Sequence, residues 1–353
     1  MRSWAICGSL ILGIAITGSA AQKPAITVGS ATAGPGQKAT GAIEVPAASD
    51  AGTSIPVVVI NGARPGQVLA LVSGLHGTEY ASIIALEKVI GLLDPKDISG
   101  AVIILPLVNV GSFNQKVPHV NPVDRKSMNR FYPGNPNGTQ TDRASYMITR
   151  DVVDKCDHLI DLHGGDLDES LRPYAYWSKT GNSAIDRTSL EMVLAFGLDH
   201  IIISEDRPKD PAASRYLENT ATTRGKASIA AEAGYAGTVE PEDVELLANG
   251  CLNVMRYLKI LPGEYKPIKN PVWVGKVVTV ASDSPGIFYP QVKRGTYVEK
   301  GMRLGYVSDF YGNRLFEAMA PESGVVLYIC AVPSMDKGGT IANIGVISTT
   351  PPQ

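Results

Sequence analysis

The runs QVLALVSG (67–74) and AVIILPLVNV (101–110) are aliphatic at almost every position until each turns polar, and DHLIDLHGG (157–165) sets Leu159, Ile160 and Leu162 before a polar end. A strand with one solvated face alternates apolar and polar residues, whereas a near-continuous aliphatic run belongs to a strand covered on both faces. PVVVINGA (56–63) and ASIAAEAG (227–234) read as further strands. Between these runs, EYASIIALEKVIGLL, TDRASYMITRDVVDKC and LEMVLAFGL carry apolar residues at helical spacing. PEDVELLANGCLNVMRYLKI does the same, opening on proline and acids and stopping at Leu261-Pro262-Gly263. Strands alternating with helices predict an α/β fold, a mainly parallel or mixed sheet with helices on both faces.

Four segments follow. Residues 1–21 have an early arginine, a long apolar stretch and small residues ending in Ala20-Ala21, the pattern of an export signal. The reading is a periplasmic or secreted protein without stable membrane insertion after cleavage. The alternative is a membrane anchor, for which the apolar core is short. Residues 22–40 are small and polar and are expected to lead loosely into the fold. Residues 41–262 form the α/β domain. Residues 268–353 change to short valine- and tyrosine-rich runs split by SDSPG, KRGT, EKGMRLG, YGNR and PESG, which predicts a small all-β domain. That stretch resembles the lipoyl-like hammerhead of cofactor carriers. The expected hairpin tip, SDFYGN, has no lysine, and Ala320 stands where the modified lysine should be. The domain is therefore read as structural, shaping or shielding a site.

A formal charge of −2 with no basic run excludes a general nucleic-acid binder. After the signal, Cys156, Cys251 and Cys330 remain: odd in number, widely spaced, without a CxxC. One disulfide is compatible with export, but buried inert thiols fit the aliphatic surroundings of Cys156 and Cys251 better.

Three aliphatic runs share one ending. LALVSG leads to His76 and Glu79, LIDL to His163 and two glycines, and SIAA to Glu232 before Ala233-Gly234. In open α/β sheets ligands bind beyond the carboxyl ends of strands. If the three strands are parallel neighbours, two histidines and two glutamates converge. Two imidazoles and one carboxylate, with a fourth position for water, are the ligand set of hydrolytic zinc sites. A further carboxylate must move the proton. His76, Glu79 and His163 suit the metal role and Glu232 the proton role. Asp161, two residues before His163 on the same side of a strand, suits the imidazole's second nitrogen. Read singly, Glu79 is a helix-start acid, His163 a core histidine and Glu232 a paired strand-end carboxylate. His119, in a loop, His158, opening a strand, and His200, ending a helical segment, lack the shared context. Asn129-Arg130, in a Pro/Gly-rich loop, suits a carboxylate clamp.

HxxE at 76–79, NRFYPG at 129–134, DLHGG at 161–165 and EAG at 232–234 resemble, in order, motifs of the succinylglutamate desuccinylase/aspartoacylase family. The resemblance covers roughly residues 40–262. It implies a zinc-carboxypeptidase-like fold and hydrolysis of an acyl amide on an amino-acid-like substrate. His76, Glu79 and His163 would hold one Zn2+, Glu232 would be the general base and acid, and Asn129 and Arg130 would hold a substrate carboxylate. Pro122 stands where aspartoacylases carry an arginine that polarises the scissile carbonyl, and Ser127 replaces their aspartate. Arg125 and Arg143 are candidates to substitute for the missing arginine. The pattern is closer to the general deacylase branch, so no particular acyl amino acid is assumed. A zinc carboxypeptidase or cell-wall peptide hydrolase is the competing reading. A binding protein on a degenerate fold is the third, and an intact Glu232 argues against it.

Overall fold

The computed structural model describes Met1 and residues 23–348. The export-signal reading falls on residues outside these. No helix among the described residues is long and apolar enough to cross a membrane.

The architecture is α/β. A twelve-stranded mixed sheet carries, as consecutive parallel neighbours, Ala227–Tyr235, His158–His163 and Arg64–Ser73, followed by Ser99–Leu105. Side-chain alternation along these strands feeds two cores. Leu69, Leu71, Ile160, Leu162, Ile229 and Ala231 face the helices Tyr80–Leu92, Ser183–Phe196 and Pro241–Tyr257. Ala70, Val72, Ile103, Leu105 and Leu159 face the helices Gln140–Ile148 and Leu217–Thr222 on the opposite side. The aliphatic runs lack alternation because both faces are covered. Full burial of each such leucine or isoleucine contributes about 1.5–3 kcal/mol.

The loose lead expected over 22–40 is not what folds. Ile26–Val28, Ala31–Ala33 and Gln37–Val45 are strands, and Val28, Ala31 and Ala33 are buried. The small residues that read as a loop permit close approach: a Cβ on Gly41 would lie 2.6 Å from the Ala31 nitrogen. Asn61 Nδ2 ties the segment down by donating to the Pro24 and Ala33 carbonyls.

Beyond residue 268 every described element is a strand, but the sheets are not self-contained. Gly286–Pro290, Arg303–Ser308, Arg314–Met319 and Ser334–Met335 form a separate four-stranded sheet. Val272–Ala281, Gly324–Cys330 and Thr340–Ile347 instead join the large sheet. Val272–Ala281 pairs in parallel with His200–Ser204, which pairs with Glu169–Ser178. Gly324–Cys330 pairs with both Thr340–Ile347 and Glu169–Ser178. With Thr340–Ile347 on Val272–Ala281, five strands close a ring. Its interior holds Tyr174, Ile202, Val274, Val325 and Leu327. The C-terminal segment thus completes a barrel begun by the α/β segment. His200 opens a strand rather than ending a helix.

Candidate active site

His76, His163 and Glu232 stand at the carboxyl ends of three adjacent parallel strands. Glu232 is the register partner of His163, and Ser73 that of Leu162. The glycines serve a backbone contact. A Cβ on Gly165 would lie 2.7 Å from Gly234 backbone atoms, and one on Gly164 2.7 Å from the Ala233 carbonyl oxygen. Two strand ends can be this close only because neither carries a side chain there.

His76 sits in the turn between Arg64–Ser73 and Tyr80–Leu92, with Gly74 at φ +67°. Glu79 occupies the N-cap position of that helix, but its side chain caps nothing. It is buried and turned to the imidazoles: Oε1 is 2.6 Å from His76 Nδ1, and Oε2 is 3.0 Å from His163 Nδ1 and accepts from Gly164 N at 3.2 Å. Burial opposes charging Glu79, yet His76 and His163, through electrostatic attraction and hydrogen bonds, hold its carboxyl down to about 2. The ligand atoms of His76, Glu79 and His163 lie within 4.8 Å of one another, a spacing able to hold a metal ion.

The outer nitrogens test the fit. His76 Nε2 lies 3.2 Å from Ser127 Oγ. His163 Nε2 faces Asn129 Nδ2 at 3.0 Å and Asp161 Oδ2 at 3.3 Å. Neither Asp161 oxygen has an aligned hydrogen-bond partner, although the residue is wholly buried. A buried carboxylate without a donor is costly. An imidazole that gives Nδ1 to a metal carries its proton on Nε2, the donor Asp161 lacks. The donor set and the orphaned carboxylate both fit a zinc-type ion.

Glu232 looks onto a cavity of about 1160 Å³. Burial raises its carboxyl, His163 pulls it back, and Glu79 and Asp161 push it up again, to about 7. Among the described residues its carboxylate makes no hydrogen bond or ion pair. Glu169, also at the cavity, is pushed up to about 8 by burial and by the charge of Glu79; its Oε2 accepts from Asp166 N.

The cavity runs from the strand ends across the floor formed by Ala227–Tyr235, Glu169–Ser178 and His200–Ser204. Glu232 is paired with Tyr174, Ala230 with Tyr176, and Tyr176 with Ile202. Lys276, Tyr328 and Asn343 of the C-terminal strands form part of its wall.

Asn129 and Arg130 both line it. Asn129 is buried, with Nδ2 3.0 Å from His163 Nε2 and Oδ1 accepting from Leu217 N at 2.9 Å. Arg130 is exposed, with Nη1 donating to the Asn129 carbonyl at 2.6 Å and its guanidinium 4.8 Å from the Tyr216 ring centre. Neither proposed substitute arginine reaches the cavity. Arg125 is exposed elsewhere, and Arg143 is buried, pairing with Asp50 at 2.9 Å and donating to the Pro46 and Gly138 carbonyls.

His119 lines the cavity outside the ligand cluster, at φ +62°. Burial lowers its basicity, but the Asp168 hydrogen bond at 2.8 Å and the Asp166, Glu169 and Asp168 charges raise it to about 9. His158 is buried with both ring nitrogens unpartnered, and His200 contacts Arg172 and the Tyr297 hydroxyl. Cys156, Cys251 and Cys330 are all free and buried.

Sequence reasoning missed Glu169, Tyr176, Arg207, Tyr216 and Glu218. His200–Ser204 runs antiparallel to the three ligand strands, so its polar end lies at the other edge of the sheet. A rule about strand ends finds His76, His163 and Glu232 and has no purchase on residues lining the floor beyond them.

Fold and site together define an α/β enzyme of the hydrolase class. Residues 65–258 match the succinylglutamate desuccinylase/aspartoacylase catalytic domain. The N-alpha-acetyl-L-2,4-diaminobutyric acid deacetylase of Halomonas elongata is 29% identical over 300 residues, covering 83% of this chain and 86% of that one. The succinylglutamate desuccinylase/aspartoacylase of Rhodobacter sphaeroides superposes with a TM-score of 0.78 at 22% identity, over 89% of this chain and 96% of that one. The product-bound ectoine utilization protein EutE of Ruegeria pomeroyi gives 0.78 at 24%, over 88% and 95%. The chain belongs to the succinylglutamate desuccinylase/aspartoacylase family.

Proposed function

We propose that this protein is an exported zinc-dependent deacylase that cleaves the acyl amide bond of a small carboxylated, N-acyl amino acid-like substrate. The observation that carries the reading is the convergence of His76, Glu79 and His163 next to the unpaired carboxylate of Glu232 on one cavity. His76 Nδ1, Glu79 and His163 Nδ1 hold the ion, with Ser127 and Asp161 behind the outer ring nitrogens. Bound zinc supplies a Lewis acid and a water acidic near neutral pH. Glu232 takes the proton of the attacking water and returns it to the leaving amine nitrogen. Arg130 holds the substrate carboxylate, with Asn129 Oδ1 tying the loop to Leu217 N. The C-terminal strands, lipoyl-like in our reading, serve as cavity wall. Residues 1–21 direct the chain to the periplasm or outside the cell. The Halomonas relative is a deacetylase of an N-acetylated amino acid, which favours acetyl as the acyl group.

The test is a panel of N-acyl amino acids with the zinc-loaded protein, scored by free amino acid released and repeated after chelation. Zinc-dependent release is expected. The cavity volume, above the roughly 300–1,000 Å³ usual for small-ligand sites, favours a peptide substrate as the second reading. Turnover of peptides without release from N-acyl amino acids selects that reading. Failure of both panels with metal bound rejects the two together.

A further inference from the structure

Arg130 has a companion. Arg207 lies in the segment between His200–Ser204 and Leu217–Thr222, and its guanidinium carbon is 4.0 Å from the centre of the Tyr216 ring, the ring Arg130 also covers at 4.8 Å. Both guanidiniums therefore pack against one ring that lines the cavity. Arg207 also lies 5.5 Å from the Tyr176 ring on the cavity floor. The segment is fixed in place: Arg215 and Tyr132 exchange backbone hydrogen bonds at 2.8 and 3.2 Å, and Leu217 N donates to Asn129.

Arg207 is engaged through Nε in a buried ion pair with Glu218. Glu218, 2% exposed, sits 3.1 Å from Arg207 Nε, yet the two atoms are not aligned as a hydrogen bond. Asp206 is exposed and screened by solvent. The cavity's Lys179 is matched by Glu205 at 3.2 Å.

We propose that Arg207 binds the substrate carboxylate jointly with Arg130, on the part of the cavity floor beyond Glu232. This rests on the N-acyl amino acid reading and adds a residue to it. Its place against the Tyr216 and Tyr176 rings assigns Arg207 to holding the substrate rather than to the scissile bond. Its planar guanidinium is matched to both the aromatic stack and a bidentate carboxylate, which a lysine cannot reproduce.

Calorimetry in a Glu232→Gln background, zinc-loaded, measures binding free of turnover. The probes are N-acetyl-L-2,4-diaminobutyrate and its carboxamide, which lacks only the carboxylate charge. Arg207→Gln is expected to weaken the acid about tenfold or more while leaving the carboxamide within about twofold, with Arg207→Lys in between. Equal weakening of both probes makes Arg207 a support for Tyr216 and overturns the proposal. So does an acid that binds no better than its carboxamide while Arg207 is present. Zinc content and thermal unfolding of each variant identify misfolded protein. An inactive wild-type chain that still shows the acid-selective loss would reject the deacylase reading while sustaining Arg207's role.

Discussion

Glu232 and His163 are register partners across two parallel strands, so the unpaired carboxylate and the buried imidazole are held by the same ladder of backbone hydrogen bonds. Neither depends on a loop for its place. The position of the proton acceptor relative to the proposed ion is therefore a property of strand register, which a conservative side-chain change leaves intact.

Glu232→Gln keeps that register and volume and removes the proposed base. We expect kcat to fall by about 100- to 10,000-fold with zinc content unchanged. Steady-state kinetics beside metal analysis checks it, and undiminished turnover would exclude Glu232 as the base.

His163→Ala removes one of the three proposed ligands, and Asp161→Asn only the proposed acceptor behind it. The first should abolish stoichiometric zinc. The second should weaken zinc binding about 10- to 100-fold while the protein remains folded. Competition with a chromophoric chelator reads both, and full zinc retention by His163→Ala would refute the ligand set.

Glu169 gives the metal-free protein a pH dependence with a definite sign. Its folded carboxyl is raised, to about 8, so the folded state binds the proton more tightly than the unfolded state. That stability is complete below the unfolded value near 4.5 and is lost as pH rises toward 8. The midpoint of thermal unfolding of stripped protein should fall across this window, and Glu169→Gln should flatten the slope. A variant with the wild-type slope would remove Glu169 from the account.

Burial pushes the Cys156 thiol up to about 12 and raises Cys251 and Cys330 as well. With the thiolate suppressed, chain lacking residues 1–21 should show no rapidly reacting thiol with a disulfide reagent in the native state and three after unfolding. A fast native reaction would contradict the burial.

What the sequence made legible follows from where the chemistry lies. Doubly buried strands announce themselves as aliphatic runs, and residues interrupting such a run at its carboxyl end stand out, as His76, His163 and Glu232 did. The strand Glu169–Ser178 did not, because Pro173 and alternating polar residues break the pattern while Tyr174 and Tyr176 supply the floor. The strands over 26–45 were hidden because alanine and glycine there serve close backbone approach, and the same composition describes a loop. Arg207 carries no local signal: its meaning comes from Tyr216, nine residues on, and from Arg130, brought near by folding.

The ring of five strands has a consequence for how the molecule comes into being. Glu169–Ser178 and His200–Ser204 come first in the sequence, and the ring stays open until Thr340–Ile347 has been delivered. Until then the cavity lacks Asn343, and Val272–Ala281 and Gly324–Cys330 each keep an unpaired edge. A nascent or truncated chain can hold all three proposed ligands and the proposed base without a finished chamber around them. Delivery of Thr340–Ile347 is thus the event that closes the chamber.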